Sequence, residues 1–310
     1  MLELILHHYP TSPFSEKIRL IFGLKKLQWR SVIIPMMMPK DDVIALTGGY
    51  RKTPLLQVGA DIYCDTALIA DVIERLHPTP SLYPHENGEE ARIIAQWADS
   101  TLFWTMIPHV MQPAGLRELF AGQPPEVIQA FGADRKAFRG SAPRMMPAEA
   151  TPALALYLHR IEAMLSDGRP YLLGPVPTIA DFSTYHSLWF VRRAPSIAGI
   201  LEGRARTAKW MEHVRAIGHG EGREMKSDEA IEVARASTPA SINEHAFVDT
   251  HGIAIGERVT VAATDYGTDP VAGELVVSTR DEVAIHRLDP RAGDVVVHFP
   301  RIGFQLTRAA

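Results

Sequence analysis

The chain has 310 residues, 46% of them hydrophobic and 22% charged, which excludes a disordered or collagen-like protein and suits two or three domains. A net charge of −4 gives no global basic field for nucleic acid or an anionic membrane. The single cysteine, Cys64, rules out an intramolecular disulfide and fits a reducing compartment.

The first residues lack a basic leader region and carry only a short apolar run, so 2–8 reads as a buried strand and not a signal peptide. No apolar stretch of about 18 residues occurs, so no membrane helix is expected and the default is a cytoplasmic protein. Ser12 caps a helix over 14–27, with Pro13 at its first position, where a missing N–H costs nothing. A strand over 31–35 follows, then a short helix over 41–46 stopped by Gly48-Gly49. Runs 54–58 and 62–64 form a hairpin around Gly59-Ala60-Asp61, and Asp65-Thr66 caps a helix to Leu76.

After Pro84 the period is helical. One helix is expected over 89–111, with Ile94, Trp97, Thr101 and Trp104 along one face. Residues 112–150 read as irregular. Helices are expected over 151–165, from Thr178-Ile179-Ala180-Asp181 to about 193, over 207–217 and over 228–236. From about 245 the period switches to strand, at 259–262, 273–277, 282–286 and 294–299. That pattern suggests a small accessory β-barrel or sandwich. With six arginines, nine acids and no lysine in 245–310, a nucleic-acid role is disfavoured.

The βαβαββα order, with Thr-Pro before the third strand, is thioredoxin-like. Four segments carry a closer resemblance. They are Tyr9-Pro10-Thr11-Ser12-Pro13-Phe14-Ser15-Glu16-Lys17-Ile18-Arg19, Arg51-Lys52-Thr53-Pro54-Leu55-Leu56, Cys64-Asp65-Thr66-Ala67-Leu68-Ile69 and Pro177-Thr178-Ile179-Ala180-Asp181-Phe182. In this order and separation they resemble the cytosolic glutathione transferases over residues 1 to about 220. The tail is not part of the ordinary family pattern. The resemblance implies an α/β plus all-α architecture: a thioredoxin-like domain at 1–80, a helical bundle at 86–236, and the extra all-β domain at 245–310.

It also implies roles. Glutathione attacks as a thiolate, and its thiol titrates near 8.5 unaided. A helix N-terminus and a hydroxyl lower that value. Ser12 matches the family's catalytic Ser or Cys position; Tyr9 is the runner-up hydroxyl and Ser15 a further competitor. Phe14, beside this junction, belongs with the glutathione-binding residues that the resemblance implies. Pro54 is expected to be cis, turning the backbone of Thr53 toward the cysteinyl unit, and Lys52 matches a position that meets the glycyl carboxylate. Asp65 faces the γ-glutamyl ammonium, while Thr66 and the helix start hold its carboxylate. Thr178 and Asp181 have capping-box spacing and a structural role. Phe103, Trp104, Met106 and His109 lie where the second domain contributes an electrophile pocket.

Other signals read plainly. His7-His8 lack metal-ligand spacing, so no metal is expected. Cys64 reads as a packed thiol. Met36-Met37-Met38 reads as a loop after a strand, with an apolar pocket wall as the other option. The expected activity is conjugation of glutathione to a small apolar electrophile, in a homodimer. The alternatives are a non-catalytic scaffold of the same fold, or a glutathione-dependent peroxidase, isomerase or dehalogenase.

Overall fold

The structure, a computed structural model, describes residues 3–139, 145–240, 247–248 and 250–309. In its first part β1 (Ile5–His8) runs into α1 (Pro13–Leu24), followed by β2 (Gln28–Ile33), α2 (Asp41–Thr47), β3 (Leu55–Val58), β4 (Asp61–Cys64) and α3 (Thr66–Leu76). The βαβαββα order is therefore present. Side-chain alternation along the strands sorts two cores. Leu4, Leu6, Leu56, Val58 and Tyr63 face α1, α3 and the helical domain. Ile5, Val32, Leu55 and Cys64 face the other way.

The helical part holds α4 (Gly88–Trp97) and α5 (Phe103–Val110), then α6 (Pro113–Leu119), α7 (Pro125–Arg139), α8 (Pro147–Met164), α9 (Ile179–Arg192) and α10 (Ala205–Ala216). Two readings are corrected here. The helix expected over 89–111 is split by a π-helical turn, Ala98–Leu102, which re-aims Asp99. The stretch 112–150 is largely helical where it is described; 140–144 lie outside the described residues. Its prolines were read as breakers, yet Pro113 and Pro147 stand in the first turn of α6 and α8, where proline's fixed φ suits the helix.

Next come β5 (Glu221–Glu224) and α11 (Ser227–Ala236), then β6 (Arg258–Ala263), β7 (Val271–Ser278), β8 (Glu282–Asp289), β9 (Gly293–Pro300) and β10 (Phe304–Arg308). The tail is all-β, as expected, but it does not stand apart. One ten-stranded sheet runs β10-β6-β7-β8-β9-β4-β3-β1-β2-β5. β9 lies parallel to β4, with Ile62 opposite Val297, so the tail continues the first domain's sheet instead of closing as its own barrel. Val259, Val261, Leu275, Val297 and Phe299 share one apolar cluster with Ile5, Val32 and Leu55. At the other edge β5 pairs in parallel with β2. Its sequence, Glu-Gly-Arg-Glu, is polar throughout and gave no strand period; charge there also discourages further pairing.

Candidate active site

Three strand ends meet. His7 pairs with Leu55 across β1 and β3, and Leu55 pairs with Cys64 across β3 and β4. One step further along each register lie His8, Pro54 and Asp65. The turn Tyr9–Ser12, the segment Thr53–Pro54 and the start of α3 thus share one edge of the sheet. The Thr53–Pro54 peptide is cis.

At the first of these ends Ser12 caps α1. It has extended backbone angles, and its Oγ accepts from the Ser15 amide at 3.2 Å. Its own amide donates to the Tyr9 carbonyl at 3.1 Å. Burial raises the Tyr9 phenol above its ordinary value, against Arg135 and a hydrogen bond with Ser12 that both pull it down. A phenol held neutral donates a hydrogen bond well but is a poor base at neutral pH. Ser15 is fully buried, and its hydroxyl has no hydrogen-bond partner among the described residues.

Lys40 enters the same corner from the loop before α2. Its Nζ donates to Thr53 Oγ1 at 3.2 Å and stands 6.0 Å from the centre of the Tyr9 ring. Only 5% of the residue is exposed. Burial first, then the neighbouring Arg135 and Arg51, lowers its pKa to about 8, with Asp134 opposing. The sequence reading missed Lys40. The signal was a lone lysine after Pro39 and before an acidic helix start, which reads as solvated loop until tertiary folding buries it.

On the far side Asp65 caps α3, its Oδ1 accepting from the Ala67 amide at 2.9 Å. Its φ of +72° is rare for a residue with a Cβ and stores about 1–3 kcal/mol, which the surroundings must hold. Burial raises the Asp65 carboxyl, opposed by Lys52, the Ala67 amide and Lys17. The Thr66 hydroxyl accepts from Lys17 Nζ at 3.2 Å, and that ammonium also donates to Asp99 at 2.6 Å. Asp99 further accepts from Ser183 and pairs with His186 at 2.9 Å. Burial raises the Asp99 carboxyl, but Lys17 and His186 outweigh it and hold the pKa below its usual value. Buried Lys17 therefore ties the start of α3 to the π-helical turn. Phe14 packs on Phe103 and His186, each 4.6 Å between ring centres, and so belongs to the contact between domains.

The four residues assigned to an electrophile pocket separate. Met106 and Phe103 are buried in the main core. His109 is turned inward, its ring nitrogens 3.0 Å from Thr151 Oγ1 and 3.2 Å from the Ile197 carbonyl. Trp104 alone reaches the cleft, where it meets Tyr266 of the tail at 4.8 Å. Periodicity could not make this division, because the π-helical turn shifts the face of α5.

The mouth of the cleft is closed by two later segments. From α7, Asp134 takes Arg51 at 2.9 Å, Phe138 lies under the Arg51 guanidinium at 4.7 Å, and Arg135 donates to the Met36 carbonyl. From the loop between β6 and β7, Asp265 takes Lys52 at 2.7 Å and Tyr266 packs on Phe138 at 4.2 Å. Met36, Met38 and Lys40 close on Arg135 and Phe138 and leave no water-sized space. The methionine run is thus part of this wall.

Burial raises the Cys64 thiol well above its ordinary value, as for a packed side chain. His7 and His8 are buried, hydrogen-bonded and pushed down to about 4 and about 3 by burial. Among the described residues no group of His, Cys, Asp and Glu is arranged to hold a metal ion, and no helix is long and apolar enough to cross a membrane.

Two family models match the chain: the glutathione S-transferase N-terminal domain over residues 6–81 and the glutathione S-transferase C-terminal domain over 103–217. A solved structure of a GST-like protein from Pseudomonas syringae is 41% identical, with a TM-score of 0.82, and covers 100% of each chain. The chain belongs to the glutathione S-transferase family. A glutathione S-transferase from Rhodospirillum rubrum is 19% identical, covering 69% of this chain and 88% of its own, with a TM-score of 0.53. A tau-class glutathione S-transferase from mango is 17% identical, covering 69% and 89%, with a TM-score of 0.51. These two share the fold. No curated protein sequence matches the chain. Set beside the glutathione S-transferases that cover 69% of the chain, the Pseudomonas syringae protein matches end to end, tail included.

Proposed function

We propose that the chain is a glutathione transferase whose thiol-activating hydroxyl is Ser12. The observation that carries this is the convergence of the α1 start, the cis Thr53–Pro54 segment and the α3 start at three adjacent strand ends. Each end suits one part of the tripeptide. The Ser12 hydroxyl and the positive end of α1 stabilise a thiolate, lowering a thiol that would otherwise titrate near 8.5. Thr53 lies two residues before Leu55, the first paired residue of β3, where its backbone suits pairing with an extended peptide. Asp65 carries the charge for an ammonium, and the α3 start suits the carboxylate beside it. Lys40 and Lys52 supply cations for the carboxylate at the other end. The thiolate then attacks an apolar electrophile beside Trp104, helped by a lowered thiol pKa and by proximity.

A second reading keeps the fold and drops the turnover. Its support is the mouth of the cleft, where α7 packs on Met36, Met38, Lys40 and Arg51 and leaves no water-sized space between them. Calorimetry with glutathione, beside Ser12→Ala and Asp65→Ala, separates the two. The transferase reading expects binding in the micromolar to low-millimolar range, about 4–8 kcal/mol. Asp65→Ala should lose most of it. Ser12→Ala should bind but fail to ionise the thiol, read from the ultraviolet absorbance of the bound thiolate. Absence of binding to the wild-type protein sinks the reading and leaves the scaffold.

A further inference from the structure

The tail enters the active-site cleft as one loop, residues 264–270, between β6 and β7. Its charged contacts there are shallow. Asp265 pairs with Lys52 at 2.7 Å and Asp269 stands 3.8 Å from Arg51, and these two carboxylate side chains are 52% and 51% exposed. Tyr266 fills the space between Trp104 and Phe138. The Gly267 amide donates to the Phe138 carbonyl at 3.0 Å. Gly267 has φ of +62°, and a Cβ there would come within 2.1 Å of the Phe138 ring, so the close approach to α7 needs glycine.

Lys52 sits immediately before the cis Thr53–Pro54 peptide, and its ammonium is already engaged by a carboxylate of this same chain. We infer that Asp265 is a specificity-determining residue of the site: its carboxylate occupies Lys52 until a carboxylate of the incoming ligand displaces it. This rests on the glutathione reading above, and it deepens that reading by adding a charge filter and a built-in competitor. A ligand carboxylate approaching Lys52 meets the Asp265 carboxylate, and two like charges at one ammonium repel. The ligand gains Lys52 only as Asp265 loses it. Because the Asp265 carboxylate is half exposed, water replaces its contact at little cost and the exchange is accessible. Once Asp265 lets go, the loop's remaining hold on this side is Tyr266, the Gly267 hydrogen bond and the long Asp269 contact. A neutral ligand gains nothing at Lys52 with which to displace it.

The test uses the full chain and two probes: glutathione, and glutathione with its glycyl carboxylate converted to the amide. Asp265→Ala should tighten glutathione about two- to fivefold, the scale of a half-exposed ion pair removed from competition. Asp265→Asn should do the same while keeping the side chain's shape, which guards against an effect of a collapsed loop. In the Lys52→Ala background the gain should vanish. Wild type should favour glutathione over its amide, and Asp265→Ala should widen that preference, because only the acid competes with Asp265 for Lys52. Unchanged or weaker glutathione binding in both Asp265 variants overturns the inference, as does a gain that persists without Lys52. If wild type and every variant fail to bind glutathione, the glutathione reading itself falls and takes the inference with it.

Discussion

Two of the places where the tail is fastened to the first domain are built differently. At the seam between β4 and β9, His298 lies between two carboxylates, 2.5 Å from Glu282 and 3.0 Å from Asp61, and stacks on Tyr63. All three charged residues are buried, and the strands around them are paired through their backbones. At the cleft, Asp265 and Asp269 reach Lys52 and Arg51 from a loop whose carboxylates are half in water. The chemistry is the same, a carboxylate against a cation. Burial decides what it does: the seam is permanent because opening it strands charges in a dry place, whereas water takes over when the cleft contacts let go.

Removing the cation from the seam tests this most severely. His298→Ala leaves Asp61 and Glu282 facing each other, with only the Arg75 guanidinium at 3.4 Å to help Glu282. Breaking a buried pair from one side costs about 3–5 kcal/mol, so denaturant unfolding should show a loss of that order. A loss under about 1 kcal/mol would put the seam in the same class as the cleft.

Asp181 asks whether charge pairing or burial matters more. It is fully buried without a cation, accepting instead from the Leu172 amide, the Thr178 amide and hydroxyl, and the Trp210 indole, at 2.8–3.1 Å. Burial raises its carboxyl and those four donors pull against it. Asp181→Ala orphans them all and should cost about 3 kcal/mol in the same unfolding experiment. It should leave glutathione affinity unchanged in the fraction that folds.

A pH scan sharpens the seam from another side. Both carboxylates favour the charged imidazole and raise His298 above its ordinary value, although burial opposes them. A raised folded pKa adds stability that is complete below the unfolded value near 6.5 and is lost as pH climbs through the folded value. Lys40 works the opposite way: its folded value of about 8 lies below the unfolded one, so its contribution to stability grows from about pH 8 upward. The wild-type curve is therefore read against His298→Gln, and the difference between them should shrink as pH rises above 6.5. A difference that is flat across that range would mean that His298 is neutral in the fold.

How far the sequence discloses these regions follows from how local each one is. Ser12, Pro54, Asp65 and the Thr178–Asp181 box are set by caps and turns, which a few neighbouring residues specify, so their places in the fold were legible. Lys40, Arg135 and Tyr266 gain their positions from contacts with other elements, and no local period marks them. Phe103, Trp104, Met106 and His109 are placed near the cleft by the family resemblance, which does not say which of them face it; the π-helical turn at Ala98–Leu102 sets that face. The strands of the tail showed plainly in their alternation. Their junction with β4 did not, because a strand's own pattern does not say which edge it will join.

The smallest expected effect concerns the cleft. Asp265→Ala should change unfolding free energy by less than about 1 kcal/mol, since its carboxylate is half exposed and screened. Raising the salt concentration should erase even that, while the His298 seam, out of reach of ions, should keep its contribution. Of the loop's other anchors, the Gly267 hydrogen bond and the Tyr266 ring contacts are indifferent to salt at this level, while the long Asp269–Arg51 contact is screened with the Lys52 pair. If Asp265→Ala instead costs as much as His298→Ala, the loop is a second permanent seam. The cleft would then stay shut, and the closed mouth would favour a binding or scaffold role over turnover. If the cost is small, the same tail carries one fixed joint and one that opens, which is the arrangement a guarded active site needs.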